Sequence, residues 1–170
     1  MGIVLLPLER GVHVIRGKWD LLIAHPPCTY LSAAGACRMY PTKGVVNHDR
    51  LKLALEAKAF FMAFINADCE KICVENPLPL KIVELPKHTQ VIQPYEYGHP
   101  YSKRTLLWLK GLPPLVPTKI IDDYKPWVAC NTSKNKGNKD KAGVTRKGGA
   151  SKTRSKTFQG IASAMAEQWG

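Results

Sequence analysis

The chain is short of acids, of long apolar runs and of cysteine, and each shortage narrows what it can be. Its 170 residues carry 13 Asp and Glu against 25 Lys and Arg, a formal charge of +12. A balance so far to the basic side makes a polyanion the first partner to consider. No stretch approaches the roughly 18 consecutive apolar residues of a spanning helix, which excludes a helical membrane protein and leaves no membrane partner to expect. Residues 1–10 have no basic stretch ahead of their short apolar run, so they do not read as a secretory signal. The five cysteines are odd in number and irregular in spacing. That excludes a disulfide framework and points to a reducing cytosol. A hydrophobic share of 45% excludes wholesale disorder. The length suits one domain over residues 1–170.

What is present is unevenly spread. Residues 133–156 hold nine of the 25 basic residues: Lys134, Lys136, Lys139, Lys141, Arg146, Lys147, Lys152, Arg154 and Lys156. Asp140 is the one acid there, and Val144 the one aliphatic residue larger than Ala. Such a stretch buries too little apolar surface to offset its ordering entropy. Residues 131–156 therefore read as a flexible basic loop. An apolar helical segment follows it, so it is an insert and not a solubilising tail. Lys134, Lys136, Lys139, Arg146, Lys147, Lys152 and Arg154 are the candidate nucleic-acid contacts.

Elsewhere two periodicities alternate. Residues 3–8, 12–15, 20–24, 71–74, 91–93 and 105–109 read as strands. Residues 47–67 read as a helix, with Leu51, Leu55, Ala59, Met62 and Ile65 on one stripe and Asn47 or Asp49 as N-cap. Residues 159–169 read as a short closing helix. Strand, helix, strand in this order predicts a parallel α/β sheet, whose ligands sit beyond the carboxyl ends of the strands.

Two of these strands end in short polar motifs. His25-Pro26-Pro27-Cys28-Thr29-Tyr30 follows the first buried strand. Its prolines stop the ladder and make a stiff turn that presents Cys28. A thiol there serves as a nucleophile when activated, or as a small buried hydrophobe when not. Glu75-Asn76-Pro77 follows the second. An acid at a strand end can protonate a ring nitrogen, and Asn-Pro alone is also a common turn. Other chemistries fit less well. Cys69 and Cys73 lack a matching pair at zinc spacing, so no metal is expected. A zinc deaminase needs a second cysteine three positions after the first, and Leu31 stands where it would be.

Taken together, Pro-Pro-Cys after one strand, an amphipathic helix, then Glu-Asn-Pro after the next resembles the cytosine-5 DNA methyltransferases. The likeness is greatest to small phage-type proteins described as cytosine methyltransferase-like, through His-Pro-Pro-Cys-Thr-Tyr-Leu, Glu-Asn-Pro, Gly-His-Pro, Trp-Leu-Lys-Gly-Leu-Pro-Pro-Leu and Thr-Phe-Gln-Gly-Ile-Ala. It covers roughly residues 19–118 and 154–169. The resemblance implies a Rossmann-like methyltransferase sheet and S-adenosylmethionine as methyl donor. It implies Cys28 as nucleophile on carbon 6 of cytosine and Glu75 at ring nitrogen 3, with Pro27 and Asn76 beside them. Lys103 and Arg104, in the place of a Gln-x-Arg-x-Arg motif, would hold the nucleotide. DNA is the implied partner and a bacterial or phage-infected cytosol the implied location; a homo-oligomer is left open. The family's opening strand and glycine loop, which cradle the donor, have no counterpart before Asp20. The chain therefore reads as N-terminally shortened. A DNA-binding protein without donor, or a subunit that takes its cofactor half from a partner, is the alternative.

Overall fold

In the computed structural model the described residues are 2–8, 11–127 and 157–170, with residues 2–17 described by backbone alone. The basic segment around Lys134 to Arg154 lies outside them. The chain divides into two compact units, one of residues 1–91 and 105–114, the other of residues 92–104 and 115–170.

The first unit begins with β1 (Gly2–Leu8) and β2 (Gly11–Gly17), which pair antiparallel as a two-stranded sheet of their own. β3 (Leu21–Ala24) follows, then a short 3-10 turn (Ala33–Gly35) and a single helical turn, α1 (Ala36–Met39). The long helix α2 (His48–Ile65) leads to β4 (Lys71–Asn76). β3 and β4 pair parallel, Leu21 opposite Lys71 through Ala24 opposite Val74. α2 is the crossover that a parallel pair requires. Asn47 is its N-cap: the side-chain oxygen accepts the Arg50 N–H at 3.0 Å.

The buried face of α2 overlaps the stripe predicted from spacing: Leu51, Met62 and Ile65 pack against the core, but Leu55 and Ala59 do not. Ala54, Phe61 and Phe64 are buried, whereas Leu55 and Leu53 are exposed. The aromatic rings win the interior because they bury more apolar surface than leucine does. Phe61 meets Trp108 edge to face with ring centroids 5.0 Å apart. Leu31, Met39, Ile72, Val74, Val83 and Leu106 complete this core, all fully buried.

β5 (Gln90–Ile92), β6 (Tyr101–Ser102) and β7 (Thr105–Lys110) come next in the chain. The main sheet has the order β3-β4-β7-β5. β7 runs antiparallel to β4, with Cys73 opposite Leu109 and Asn76 opposite Leu106. The sheet is therefore mixed, and the all-parallel expectation is corrected. Only short 3-10 turns and strands separate β4 from β7, so no helical crossover is there to return the chain in the same direction. Gly111 ends β7 at φ +63°, and a Cβ there would lie 2.1 Å from the Glu70 carbonyl oxygen. Only glycine fits that approach.

In the second unit β6 pairs parallel with β8 (Lys125–Pro126). The closing helix α3 (Gln159–Trp169) spans the residues that periodicity predicts. Ile161, Ala164, Met165 and Trp169 form its buried face. The Gln168 amide brackets Val116, donating to its carbonyl at 2.9 Å and accepting its N–H at 2.8 Å. Among the described residues no helix is long and apolar enough to cross a membrane.

Candidate functional site

The parallel register of β3 and β4 decides the geometry of the site. Ala24 and Val74 are the last residues that the two strands pair with each other, and Glu75 and Asn76 continue β4 against β7. The two motifs therefore lie side by side at the carboxyl edge of the parallel pair, where a parallel sheet places its ligands. His25 Nδ1 lies 2.7 Å from Glu75 Oε2. The Asn76 amide donates to the Pro26 carbonyl at 2.9 Å. Each motif is thus tied to the other by one side-chain contact.

The environments of these groups differ. The Glu75 side chain is 14% exposed and that of His25 41%, so the carboxylate lies beneath an imidazole that faces solvent. Asn76 is 1% exposed. Its Nδ2 is satisfied by Pro26, while its Oδ1 has no hydrogen-bond partner among the described residues. A buried amide oxygen left without a donor is costly, of order 1–3 kcal/mol. It is retained here next to the largely buried Glu75 carboxylate. Pro26 is buried, Pro27 exposed and Cys28 half-buried.

The Cys28 turn is held from below. Its carbonyl accepts the N–H groups of Leu31 at 3.1 Å and Ser32 at 2.9 Å. Ser32 then caps the following turn through the Ala34 N–H at 3.1 Å. Arg50, in the first turn of α2, donates to the Thr29 carbonyl at 2.8 Å, and its guanidinium lies 5.0 Å from the centre of the Tyr30 ring. A cation held on both a carbonyl and a ring face fixes the turn to the helix. The other cysteines of this unit have different settings. Cys69 Sγ donates to the carbonyls of Trp19 at 3.3 Å and Lys71 at 3.2 Å. Cys73 is buried in β4, and burial together with the nearby Glu75 carboxylate pushes its thiol up to about 12. Cys73 therefore stays protonated and inert, and Cys28 is the thiol at the strand end.

Of the sequence-predicted residues, Pro27, Cys28, Glu75 and Asn76 come together in the first unit. Lys103 and Arg104 belong to the second, where they form the link between β6 and β7. Gln93 fixes that link: its Oε1 accepts the Lys103 N–H at 2.9 Å. Arg104 is exposed. The residue that sequence reasoning missed is His25, quoted there only as the first residue of the proline-turn motif. Its pairing with Glu75 depends on the register of β3 and β4, which spacing along the chain does not give.

The methyl donor has a poorer fit. Among the described residues, what precedes β3 is the β1–β2 hairpin, not a strand, glycine loop and helix. Neither an oriented set of backbone N–H groups nor a helix start is present there to hold the donor. Comparison with protein-family models, with curated proteins and with solved structures finds no match.

Proposed function

We propose that this chain activates cytosine in DNA for methylation at carbon 5, with Cys28 as nucleophile and Glu75 as the acid at ring nitrogen 3. One observation carries the reading. A proline-turn cysteine and a half-buried carboxylate leave the carboxyl ends of two adjacent parallel strands, joined by the His25–Glu75 contact at 2.7 Å and the Asn76–Pro26 bond at 2.9 Å. The fold part of the proposal is a Rossmann-like methyltransferase sheet. The parallel pair β3–β4 with its α2 crossover supports it.

The chemistry follows from the groups at hand. Carbon 5 of cytosine is a poor nucleophile. The Cys28 thiolate forms a bond to carbon 6, and the electron pair of the 5,6 double bond moves into the ring. A proton passed from Glu75 to nitrogen 3 neutralises the charge that results. Carbon 5 can then take an electrophile. Loss of its original hydrogen as a proton restores the double bond, expels the Cys28 thiolate and lets Glu75 recover its proton. Asn76 holds the Pro26 carbonyl and so keeps the Cys28 turn against Glu75. Lys103 and Arg104 hold the nucleotide through its phosphate, and the basic segment Lys134 to Arg154 adds sequence-independent phosphate contacts. The cytosol of a bacterium or a phage-infected cell is where such a substrate is within reach.

S-adenosylmethionine is the donor the resemblance implies. The hairpin ahead of β3 favours a second reading, in which the chain binds DNA and another subunit supplies the donor half. Labelled methyl transfer from S-adenosylmethionine to DNA tests the first reading: wild type incorporates label and Cys28→Ser does not. Equal incorporation by both rejects the assigned nucleophile. No transfer, with no heat of donor binding but salt-sensitive DNA binding, selects the second reading.

A further inference from the structure

We propose that the second unit holds a separate seat for single-stranded DNA, built on Tyr101, Trp127 and Phe158 with Lys103 and Lys125. The three rings form one cluster. Trp127 meets Tyr101 edge to face at 4.7 Å between centroids and Phe158 at 5.0 Å. None is a core residue: all three are half-buried. Two cations lie on their outer faces, the Lys125 ammonium 5.6 Å from the Tyr101 centroid and the Lys103 ammonium 5.9 Å from that of Phe158. A ring face holds an ammonium in place without neutralising it, so the Lys125 charge is preorganised for an anion. The Trp127 indole N–H is buried with no hydrogen-bond partner among the described residues.

The same cluster receives both ends of the basic segment. Trp127 stands at one end of residues 128–157 and Phe158 at the other, and that segment carries nine of the 25 basic residues with one acid. Aromatic rings interleaved with lysines suit a single strand, whose unpaired bases offer a ring face and whose backbone offers phosphates. A duplex offers the phosphates but keeps its bases stacked. This inference shares the DNA, Lys103 and the basic segment with the proposed function, but the seat would serve a scaffold with no chemistry at Cys28, and its test reads binding alone.

The test is binding of a labelled oligothymidylate to the full chain by fluorescence anisotropy over a range of salt. Loss of two phosphate contacts in Lys103→Ala/Lys125→Ala should reduce the salt slope by about 1.4, at roughly 0.7 per contact on a single strand. Lys43→Ala/Lys52→Ala, which removes the same charge from the first unit, should keep the wild-type slope. Trp127→Ala should weaken binding about tenfold, while Trp127→Phe, which keeps a ring in the cluster, should stay near wild type. The proposal is overturned if the two lysine pairs give the same slope. It is equally overturned if a duplex of the same length binds more tightly than the single strand.

Discussion

Two cysteines, one directly after a proline turn and one three residues into a strand, differ in burial. Cys73 has no exposed surface, and its thiol is held up to about 12, first by burial and then by the Glu75 carboxylate. Its proton is held more tightly in the folded chain than in the unfolded one, where a thiol titrates near 9. The stability this contributes is complete below about pH 9 and is lost as pH rises towards 12. Urea denaturation across that range should show a falling stability, and Cys73→Ala should flatten the fall. An unchanged slope in the variant would show that Cys73 is not the group responsible. Cys28 has no such burial, since Pro26 takes the interior position and the turn carries the thiol outwards. The proline turn that presents Cys28 at a strand end was legible in the sequence. The pairing of His25 with Glu75 was not, because it depends on strand register and not on spacing along the chain.

At the level of elements, the strands that end in motifs, the N-cap at Asn47 and the extent of α3 were all legible, because period and punctuation mark them locally. Two features were not. The buried stripe of α2 runs through Ala54, Phe61 and Phe64, since the ring of Trp108 on β7 selects Phe61 as its partner. The antiparallel course of β7 comes from the missing crossover and carries no local signal. The seating of α3 turns on one glycine. The Gly160 N–H donates to His99 Nε2 at 2.9 Å, and a Cβ on Gly160 would lie 1.9 Å from the Tyr97 carbonyl oxygen. Burial lowers the His99 pKa, which keeps the ring neutral and able to accept that bond. Gly160→Ala sets better helix propensity, worth roughly 1 kcal/mol, against a clash with rigid backbone costing about 1–3 kcal/mol. The clash should win, and chemical denaturation should show a less stable protein. An unchanged or raised stability would mean that the helix start can shift freely.

Across the whole molecule, charge and chemistry fall in different places. The strand-end pair Cys28 and Glu75 belongs to the first unit, and Lys103, Arg104, Lys125 and the ends of the basic segment belong to the second. The first unit opens with a hairpin where a donor-binding unit of strand, glycine loop and helix was the family expectation. Activation of cytosine can thus be measured apart from donor binding. Thiolate addition at carbon 6 makes carbon 5 exchange its hydrogen with solvent, with no donor required. The direct measurement is deuterium uptake at carbon 5 of cytosine in DNA incubated with the protein in heavy water. The account predicts uptake with wild type, none with Cys28→Ser, and at least tenfold less with Glu75→Gln, the usual scale for a general acid. Uptake that is equal in wild type and Cys28→Ser, or absent in wild type, would contradict it.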